Sequence, residues 1–324
     1  MLKPENINTI AIVGAGFIGP GIAQVFASQG YQVWLMDVKQ ETLPQAIDSI
    51  RANLAQMVRE AVMSQAAVAP ILGRIQTTTD MRAAVLKAQL VIEAVTENSE
   101  LKQKIFRELD SFCPLETVLA TNTSVISISE IASKSTHRER ILGTHFWNPP
   151  YLIPLVEVVK GRDTSLEVLD LTYEVLKRAG KSPIKVMKDV PGFVANRLQH
   201  ALWREAISIV ENGIADAATV DKAIKSGFAI RLPVLGPLEN ADMVGLDLTL
   251  SIHDYIFKSL ESSREPSPLL KEKVQKGALG FKSGNGFYSW TPEQAQKSRE
   301  RLSQYLLQWL KNKNQAWQGE TLQE

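Results

Sequence analysis

The 324-residue sequence predicts an α/β protein: a doubly wound, mostly parallel sheet with a helical hairpin insertion, followed by an all-helical C-terminal domain. Three observations carry that prediction. Through the first 190 residues, short β-branched runs alternate with longer helical patterns, the signature of a parallel sheet covered by helices. A glycine-rich turn directly follows the first of those runs. After Asp189-Val190-Pro191-Gly192 the strand signals stop, and Val194, Leu198, Leu202, Ile209 with Val210, Val220 and Ile224 recur at helical spacing. The expected domains are 1–190 and 191–324, in keeping with about two domains for a chain of this length.

Ile7 to Val13 reads as the first strand and Gln32 to Met36 as the second, with a helix from Pro20 to Ser28 between them. A helical stretch from Glu41 to Met63, ended near Pro70, exceeds a minimal crossover and predicts a hairpin projecting from the sheet. Leu90 to Val95 and Thr117 to Ala120 continue the strands. Ile141 to Phe146 and Ile153 to Val159 flank Asn148-Pro149-Pro150 and read as two strands around a rigid turn. Near the end, Thr291-Pro292-Glu293-Gln294 combines an N-cap, a proline at the first helical position and Gln three residues after the cap. It opens a last helix with Leu302, Tyr305, Leu306, Trp309 and Leu310 on one apolar face, expected to pack on the helical domain or across a dimer.

Composition excludes several classes of function. A hydrophobic fraction of 44% with 22% charged residues suits a chain with a proper core. Thirty-six Lys+Arg against 35 Asp+Glu leave a net charge of +1, so no global field draws nucleic acid or anionic lipid. No nucleic-acid or membrane partner and no metal site are expected. The single cysteine, Cys113, cannot form an internal disulfide, and the N-terminus has no apolar core of signal-peptide type. The expected compartment is the cytoplasm.

Gly14-Ala15-Gly16-Phe17-Ile18-Gly19 has the context that gives such a motif meaning: a strand before it, a helix after it, and a second strand ending in Asp37. Gly14 permits the tight turn, Gly16 lets a pyrophosphate approach the backbone, and Gly19 allows close helix–strand packing. The helix N-terminus supplies free N–H groups for the phosphates. Asp37 can accept from both adenosine ribose hydroxyls and repels a 2′-phosphate, and no arginine directly follows it. This Rossmann-type arrangement predicts NAD, not NADP.

Three further segments place polar residues at strand ends or in loops, where open α/β sheets bind ligands. Ser124 follows the strand ending at Ala120, and Asn196 opens the first helix of the second domain. His145 and Glu157 lie on adjacent strands and can form an imidazole–carboxylate pair that fixes the tautomer and stabilises the imidazolium. Such a pair can remove a hydroxyl proton as hydride leaves carbon. Each residue also has a plainer role open to it: a satisfied structural His145, Ser124 capping a helix near Ser127, Glu157 paired to a structural cation, Asn196 capping a helix after Gly192.

Taken together, GAGFIG, ATNTS, HFWNPP with PLVEVV, PGFVANR and the late GFKSGNGFY make the sequence resemble the 3-hydroxyacyl-CoA dehydrogenase family from Ile7 to Tyr288. The resemblance implies that His145 is the general base paired with Glu157, and that Ser124 and Asn196 hydrogen-bond the substrate's 3-oxygen and neighbouring carbonyl. It implies NAD contacts from Glu97, Lys102, Asn148 and Lys282 besides the glycine turn with Phe17 and Ile18. It also implies a homodimer formed through the helical domain.

Other segments separate the chain from the acyl-CoA enzymes, whose hairpin carries basic residues that meet the CoA nucleotide. Between Glu41 and Asp80 stand Arg51, Arg59 and Arg74, no lysine, and four acids. The stretch Pro149 to Glu157, with Ala201 to Ala206 and Gly227 to Arg231, looks like the λ-crystallin (L-gulonate 3-dehydrogenase) and L-carnitine dehydrogenase relatives. Arg231 is a candidate for bidentate binding of a substrate carboxylate. The reaction expected is reversible NAD-linked oxidation of an L-3-hydroxy group to a 3-oxo group on a free, small 3-hydroxy acid. The alternatives are a short-chain L-3-hydroxyacyl-CoA substrate, or a vestigial NADH-binding structural protein of crystallin type.

Overall fold

A computed structural model describes the chain from Leu2 to Glu320, with side chains as far as Asn312 in the last helix. One eight-stranded sheet organises the first part. In chain order its elements are β1 (Thr9–Val13), α1 (Gly19–Ser28), β2 (Gln32–Met36), α2 (Thr42–Arg59), α3 (Val68–Gly73), β3 (Ile75–Thr78), α4 (Met81–Val85), β4 (Leu90–Glu93), α5 (Ser99–Phe112), β5 (Val118–Thr121), α6 (Ile128–Ile131), β6 (Ile141–Phe146), β7 (Leu155–Val159), α7 (Leu166–Arg178) and β8 (Ser182–Val186). The spatial order is β3-β2-β1-β4-β5-β6-β7-β8, and every neighbouring pair is parallel except β6 with β7. The order reverses between β1 and β4, the crevice where doubly wound sheets bind ligands.

Side-chain alternation explains the two layers. In β1, Ile10 and Ile12 join one core with Ile22, Phe26, Ile50, Leu54 and Leu176 from α1, α2 and α7. Ala11 and Val13 point the other way, into a core with Val85, Phe106, Leu109 and Ile131 from α4, α5 and α6. Burial on both faces makes the central strands near-continuous apolar runs. The sheet edges differ: β3 reads Ile-Gln-Thr-Thr and β8 reads Ser-Pro-Ile-Lys-Val, and neither was expected from its pattern. Several predicted ends move by one to three residues; β1 starts at Thr9, β4 ends at Glu93 and β7 starts at Leu155.

The hairpin also departs from expectation. α2 stops at Arg59, Ala61 takes a left-handed φ of 54°, and Pro70 sits in the first turn of α3, where no intrahelical N–H is needed. α2 packs on α1: Asn53 Nδ2 donates to Gln24 Oε1 at 3.1 Å, and Ile50 and Leu54 are wholly buried.

The chain forms two compact units, one of residues 1–196 with the segment from Leu302 onward, the other Arg197–Arg301. This division falls six residues after the expected boundary near residue 190, and the segment from Leu302 groups with the first unit. That helix, α13 (Pro292–Glu320), follows α8 (Ala195–Glu211), α9 (Ala217–Ser226), α10 (Pro237–Val244), α11 (Leu246–Ile256) and α12 (Pro268–Gln275). Its start carries the reciprocal cap between Thr291 and Gln294. From Leu302 it belongs with the sheet: Gln56 Nε2 of α2 donates to Ser303 Oγ at 3.0 Å, and Leu307 is buried. Within the second unit α10 and α11 have no buried residue, and Leu238, Leu246, Leu250 and Tyr255 are each more than half exposed. Among the described residues no helix is long and apolar enough to cross a membrane.

Candidate active site

The turn after β1 is shaped by two glycines. Gly14 has φ +110°, and a Cβ there would fall 2.7 Å from Ala94 O of the neighbouring strand's end. A Cβ on Gly19 would fall 1.9 Å from Gly14 O, so α1 can enter this close to the turn only with glycine. Gly16 is the opposite case: nothing lies within 4 Å of its Cβ position. Phe17 is exposed beside it and Ile18 half-buried, and no side chain caps α1, which leaves its first N–H groups to an anion. Asp37, just past β2, faces this turn; its Oδ2 accepts from Ala15 N at 2.9 Å and its Oδ1 from Lys39 N at 3.0 Å. Room at Gly16, an uncapped helix and a fixed carboxylate fit a dinucleotide's pyrophosphate and ribose.

The antiparallel register of β6 and β7 sets His145 directly opposite Glu157. Both side chains are buried, and His145 Nδ1 lies 2.7 Å from Glu157 Oε2. The other carboxylate oxygen, Oε1, accepts from Val194 N at 2.9 Å and Ala195 N at 3.0 Å. Those donors are aimed by the turn before α8, where Gly192 and Phe193 take φ of 77° and 48°. A left-handed phenylalanine is strained; here its buried ring also packs 5.7 Å from the imidazole, with Trp147 5.8 Å away. Burial pushes the Glu157 carboxyl up, but hydrogen bonds from His145 and the two backbone N–H groups outweigh it and hold the group below its ordinary value. A carboxylate at Nδ1 makes that nitrogen the donor, so Nε2 carries a lone pair able to take a proton.

Ser124 lies in the loop after β5. Ser127, not Ser124, caps α6, and the Ser124 hydroxyl has no hydrogen-bond partner among the described residues. Asn196, in the first turn of α8, donates through Nδ2 to Ser124 O at 3.5 Å and so does not cap its own helix. The loop is held from below by Glu97, whose Oε1 accepts from Thr123 Oγ1 at 2.5 Å, Ser124 N at 3.1 Å and Val125 N at 3.3 Å. Burial raises the Glu97 carboxyl, and these bonds with the nearby Lys102 charge bring it below the ordinary range.

Two residues overlooked in the sequence complete the frame. Asn122 Oδ1 accepts from Phe146 N at 2.8 Å, tying the β5 loop to β6. Glu93, wholly buried at the end of β4, accepts from Lys102 Nζ at 2.8 and 2.9 Å, Thr121 Oγ1 at 2.7 Å and Val95 N at 2.6 Å. Lys102 has no exposed surface, and its ammonium pairs with Glu93 and, at 3.4 Å, with Glu97 Oε2. It supports Glu97 from inside the protein. Asn148 is exposed at the turn after β6. Arg231 and Lys282 belong to the second unit, both exposed, and are not joined to these residues within one unit. No group of acids, histidines and cysteine suited to a metal occurs among the described residues.

A glycine turn shaped for a dinucleotide and a buried His–Glu pair beyond the same sheet edge define an NAD-dependent dehydrogenase. The chain belongs to the 3-hydroxyacyl-CoA dehydrogenase family: residues 9–190 match its NAD-binding domain and residues 192–290 its C-terminal domain. It is 36% identical over 291 residues to a 5-formyl-3-hydroxy-2-methylpyridine 4-carboxylate 5-dehydrogenase of Mesorhizobium japonicum, spanning 89% of this chain and 92% of that one. It is 39% identical over 280 residues to a probable 3-hydroxybutyryl-CoA dehydrogenase of Deinococcus radiodurans, spanning 86% and 99%. Among solved structures, a dehydrogenase of the same pyridine carboxylate, described as an NAD+-dependent dismutase, has a TM-score of 0.85 and 33% identity over 93% of this chain and 96% of that one. A (S)-3-hydroxybutyryl-CoA dehydrogenase of Ralstonia eutropha has 0.75 and 34% over 88% and 99%.

Proposed function

We propose that this NAD-dependent dehydrogenase oxidises an L-3-hydroxy group reversibly to a 3-oxo group on a small molecule with a free carboxylate. The observation that carries the chemistry is the His145–Glu157 pair, 2.7 Å apart, with Nε2 of the imidazole left without a partner among the described residues. In the oxidising direction His145 Nε2 accepts the hydroxyl proton while Glu157 stabilises the imidazolium that forms. The Ser124 hydroxyl and the Asn196 amide hold the reacting oxygen and its neighbour. The glycine turn and Asp37 would hold NAD, with Glu97, Asn148 and Lys282 as the further residues proposed for it, and the cofactor would supply the hydride acceptor. In the reducing direction the same imidazolium returns the proton to the oxygen.

The hairpin supports the free-acid substrate. A 3′-phospho-ADP group normally meets a positive surface. Of the three arginines between Glu41 and Asp80, Arg51 is paired with Asp48 at 2.5 Å and Arg74 donates to Ala27 O at 3.2 Å. The relative with a pyridine carboxylate in its name is also the more alike in structure, with a TM-score of 0.85 against 0.75 for the 3-hydroxybutyryl-CoA enzyme. Arg231 is the candidate partner for the carboxylate. A short-chain 3-hydroxyacyl-CoA substrate is the second reading, favoured by the GFKSGNGFY segment and by the names of several relatives.

The protein works as a homodimer in the cytoplasm, without nucleic acid or membrane. The exposed apolar side chains of α10 and α11 support the dimer, because large apolar side chains left to water in such number suit an association surface. The deciding test follows NADH consumption with acetoacetate and acetoacetyl-CoA side by side, on wild type and Arg231→Ala. Turnover of the free acid, lost in the variant, supports the proposal. Turnover of the thioester alone, unchanged in the variant, makes the chain an acyl-CoA enzyme.

A further inference from the structure

The pair between Glu93 and Lys102 lies outside the reacting groups, yet it is the most completely buried ion pair among the described residues: both side chains have 0% exposure. Burying an ion pair repays its desolvation poorly, and apolar residues of similar volume usually stabilise a fold as well. Its connections suggest another use. Glu93 closes β4, Lys102 comes from α5, and Thr121, which donates to Glu93, closes β5. Lys102 reaches Glu97 Oε2 at 3.4 Å, and Glu97 Oε1 holds the Thr123 hydroxyl and the Ser124 and Val125 N–H groups. Ser124 O in turn receives the Asn196 amide at 3.5 Å. Five polar residues thus link two strand ends to the loop that carries the free Ser124 hydroxyl.

The geometry points to Glu93 as a positioning residue that acts through Lys102 and Glu97 to fix the Ser124 loop. This rests on Ser124 holding the substrate oxygen, as proposed above. Lys102 with two carboxylates is pulled toward both; with Glu93 gone it settles on Glu97 alone, and the 93–97 segment no longer has a rigid floor. A merely structural pair would be replaceable by an apolar pair of like volume, with no consequence for the loop.

The test compares wild type with Glu93→Leu/Lys102→Met, which removes both charges together and so leaves none unpaired in the core, and with the milder Thr121→Val. Hydrogen–deuterium exchange of the 121–127 segment needs no substrate. It should quicken at least tenfold in the double variant and by less in Thr121→Val, while β1 and β6 stay protected. Unchanged exchange at 121–127 in the folded double variant overturns the proposal. Turnover with whichever of acetoacetate or acetoacetyl-CoA reacts adds a coupling measurement. Glu93→Leu/Lys102→Met should lower kcat about tenfold in wild type, yet by less than twofold when placed on Ser124→Ala. Equal losses in both backgrounds overturn the link to Ser124. If Ser124→Ala alone keeps full turnover, the role of Ser124 fails and the exchange result still decides whether Glu93 fixes the loop.

Discussion

Glu157→Gln is the substitution that probes the catalytic pair most sharply, because it keeps the shape of the side chain and removes only its charge and one acceptor. The Oε1 position is fixed by two backbone donors, Val194 N and Ala195 N, and the Oε2 position faces His145 Nδ1. An amide has one acceptor end and one donor end. Two backbone donors at 2.9 and 3.0 Å face Oε1, against His145 Nδ1 and the more distant Trp147 indole N–H, 3.5 Å away, at Oε2. The backbone N–H groups can only donate whereas the imidazole can change tautomer, so the glutamine oxygen turns to the backbone and its NH2 group faces Nδ1. The imidazole must then accept at Nδ1 and carry its proton on Nε2, the tautomer that cannot take a proton from substrate. The lost charge acts in the same direction. Two unit charges about 4 Å apart interact by about 4 kcal/mol at an effective permittivity near 20, close to three decades in rate. Tautomer and charge are one effect seen twice, so they do not multiply; the expected loss in kcat is about 10³- to 10⁴-fold, the upper end matching the roughly 10⁴-fold loss of an Asp→Asn change beside a catalytic histidine.

Steady-state turnover measures the loss, and fluorescence titration with NADH measures whether the cofactor site survives. NADH affinity should change less than threefold, since the glycine turn and Asp37 make no contact with Glu157. The pH profile supplies a second check. Hydrogen bonds hold the Glu157 carboxyl below its ordinary range, so it stays ionised wherever the enzyme is assayed above pH about 5. Any loss of oxidation toward acid near neutrality therefore does not come from Glu157. A Glu157→Gln enzyme that keeps more than a tenth of wild-type kcat would refute the assignment of a tautomer-fixing role.

Other outcomes follow from the same geometry. His145→Gln should lower kcat at least about 100-fold with NADH binding little changed, read by the same two assays. Gly16→Ala should fold normally and bind NADH more weakly, since its Cβ enters open space meant for the cofactor; Gly19→Ala, 1.9 Å from Gly14 O, should lower the melting temperature as well. Phe193→Ala should cost about 3–5 kcal/mol in a denaturant titration, the price of a buried ring, and should slow turnover by freeing His145. Asp110 is held below its ordinary range: burial raises it, and the Arg140 hydrogen bond with the His137 and Thr136 N–H groups outweighs that. Its contribution to stability is present above the unfolded carboxyl value near 4 and is lost as pH falls through the lower folded value. Melting temperatures taken from pH 6 down to 3 should fall less steeply in Asp110→Asn than in wild type.

What the sequence made legible follows burial. Central strands such as Leu90–Glu93 and Ile141–Phe146 are covered on both faces, and their apolar runs mark them without any structure. β3 and β8 stand at the edges, and their polar residues and Pro183 erase the pattern. The sequence puts His145 and Glu157 on adjacent strands, but the segment 147–154 between those strands is too long to fix a register, which only the antiparallel ladder sets. Glu93 gave no such signal: its partner lies nine positions on, across a loop and into a helix, and only the fold makes the pair. The docking of the last helix on α2 was equally hidden, because an apolar face states that it will be covered and not by what.

The same device recurs along the sheet's functional edge. Glu157 spends one oxygen on the N–H groups of Val194 and Ala195 and offers the other to His145. Glu97 spends one on the 123–125 loop and turns the other to Lys102. Asp37 spans Ala15 N and Lys39 N, and Asp189 gathers Ser127 Oγ with the amide and hydroxyl of Ser129. Loops beyond strand ends carry N–H groups that have lost their ladder partners, and a buried donor left unpaired is costly. A carboxylate accepts at both ends, where an amide accepts at only one, and a negative charge among fixed N–H dipoles needs no reorganisation when charge develops beside it. Acids at 37, 97 and 157 are therefore demanded twice, by the loops they close and by the groups they present, and an amide in place of any of them can keep only one of the two ends.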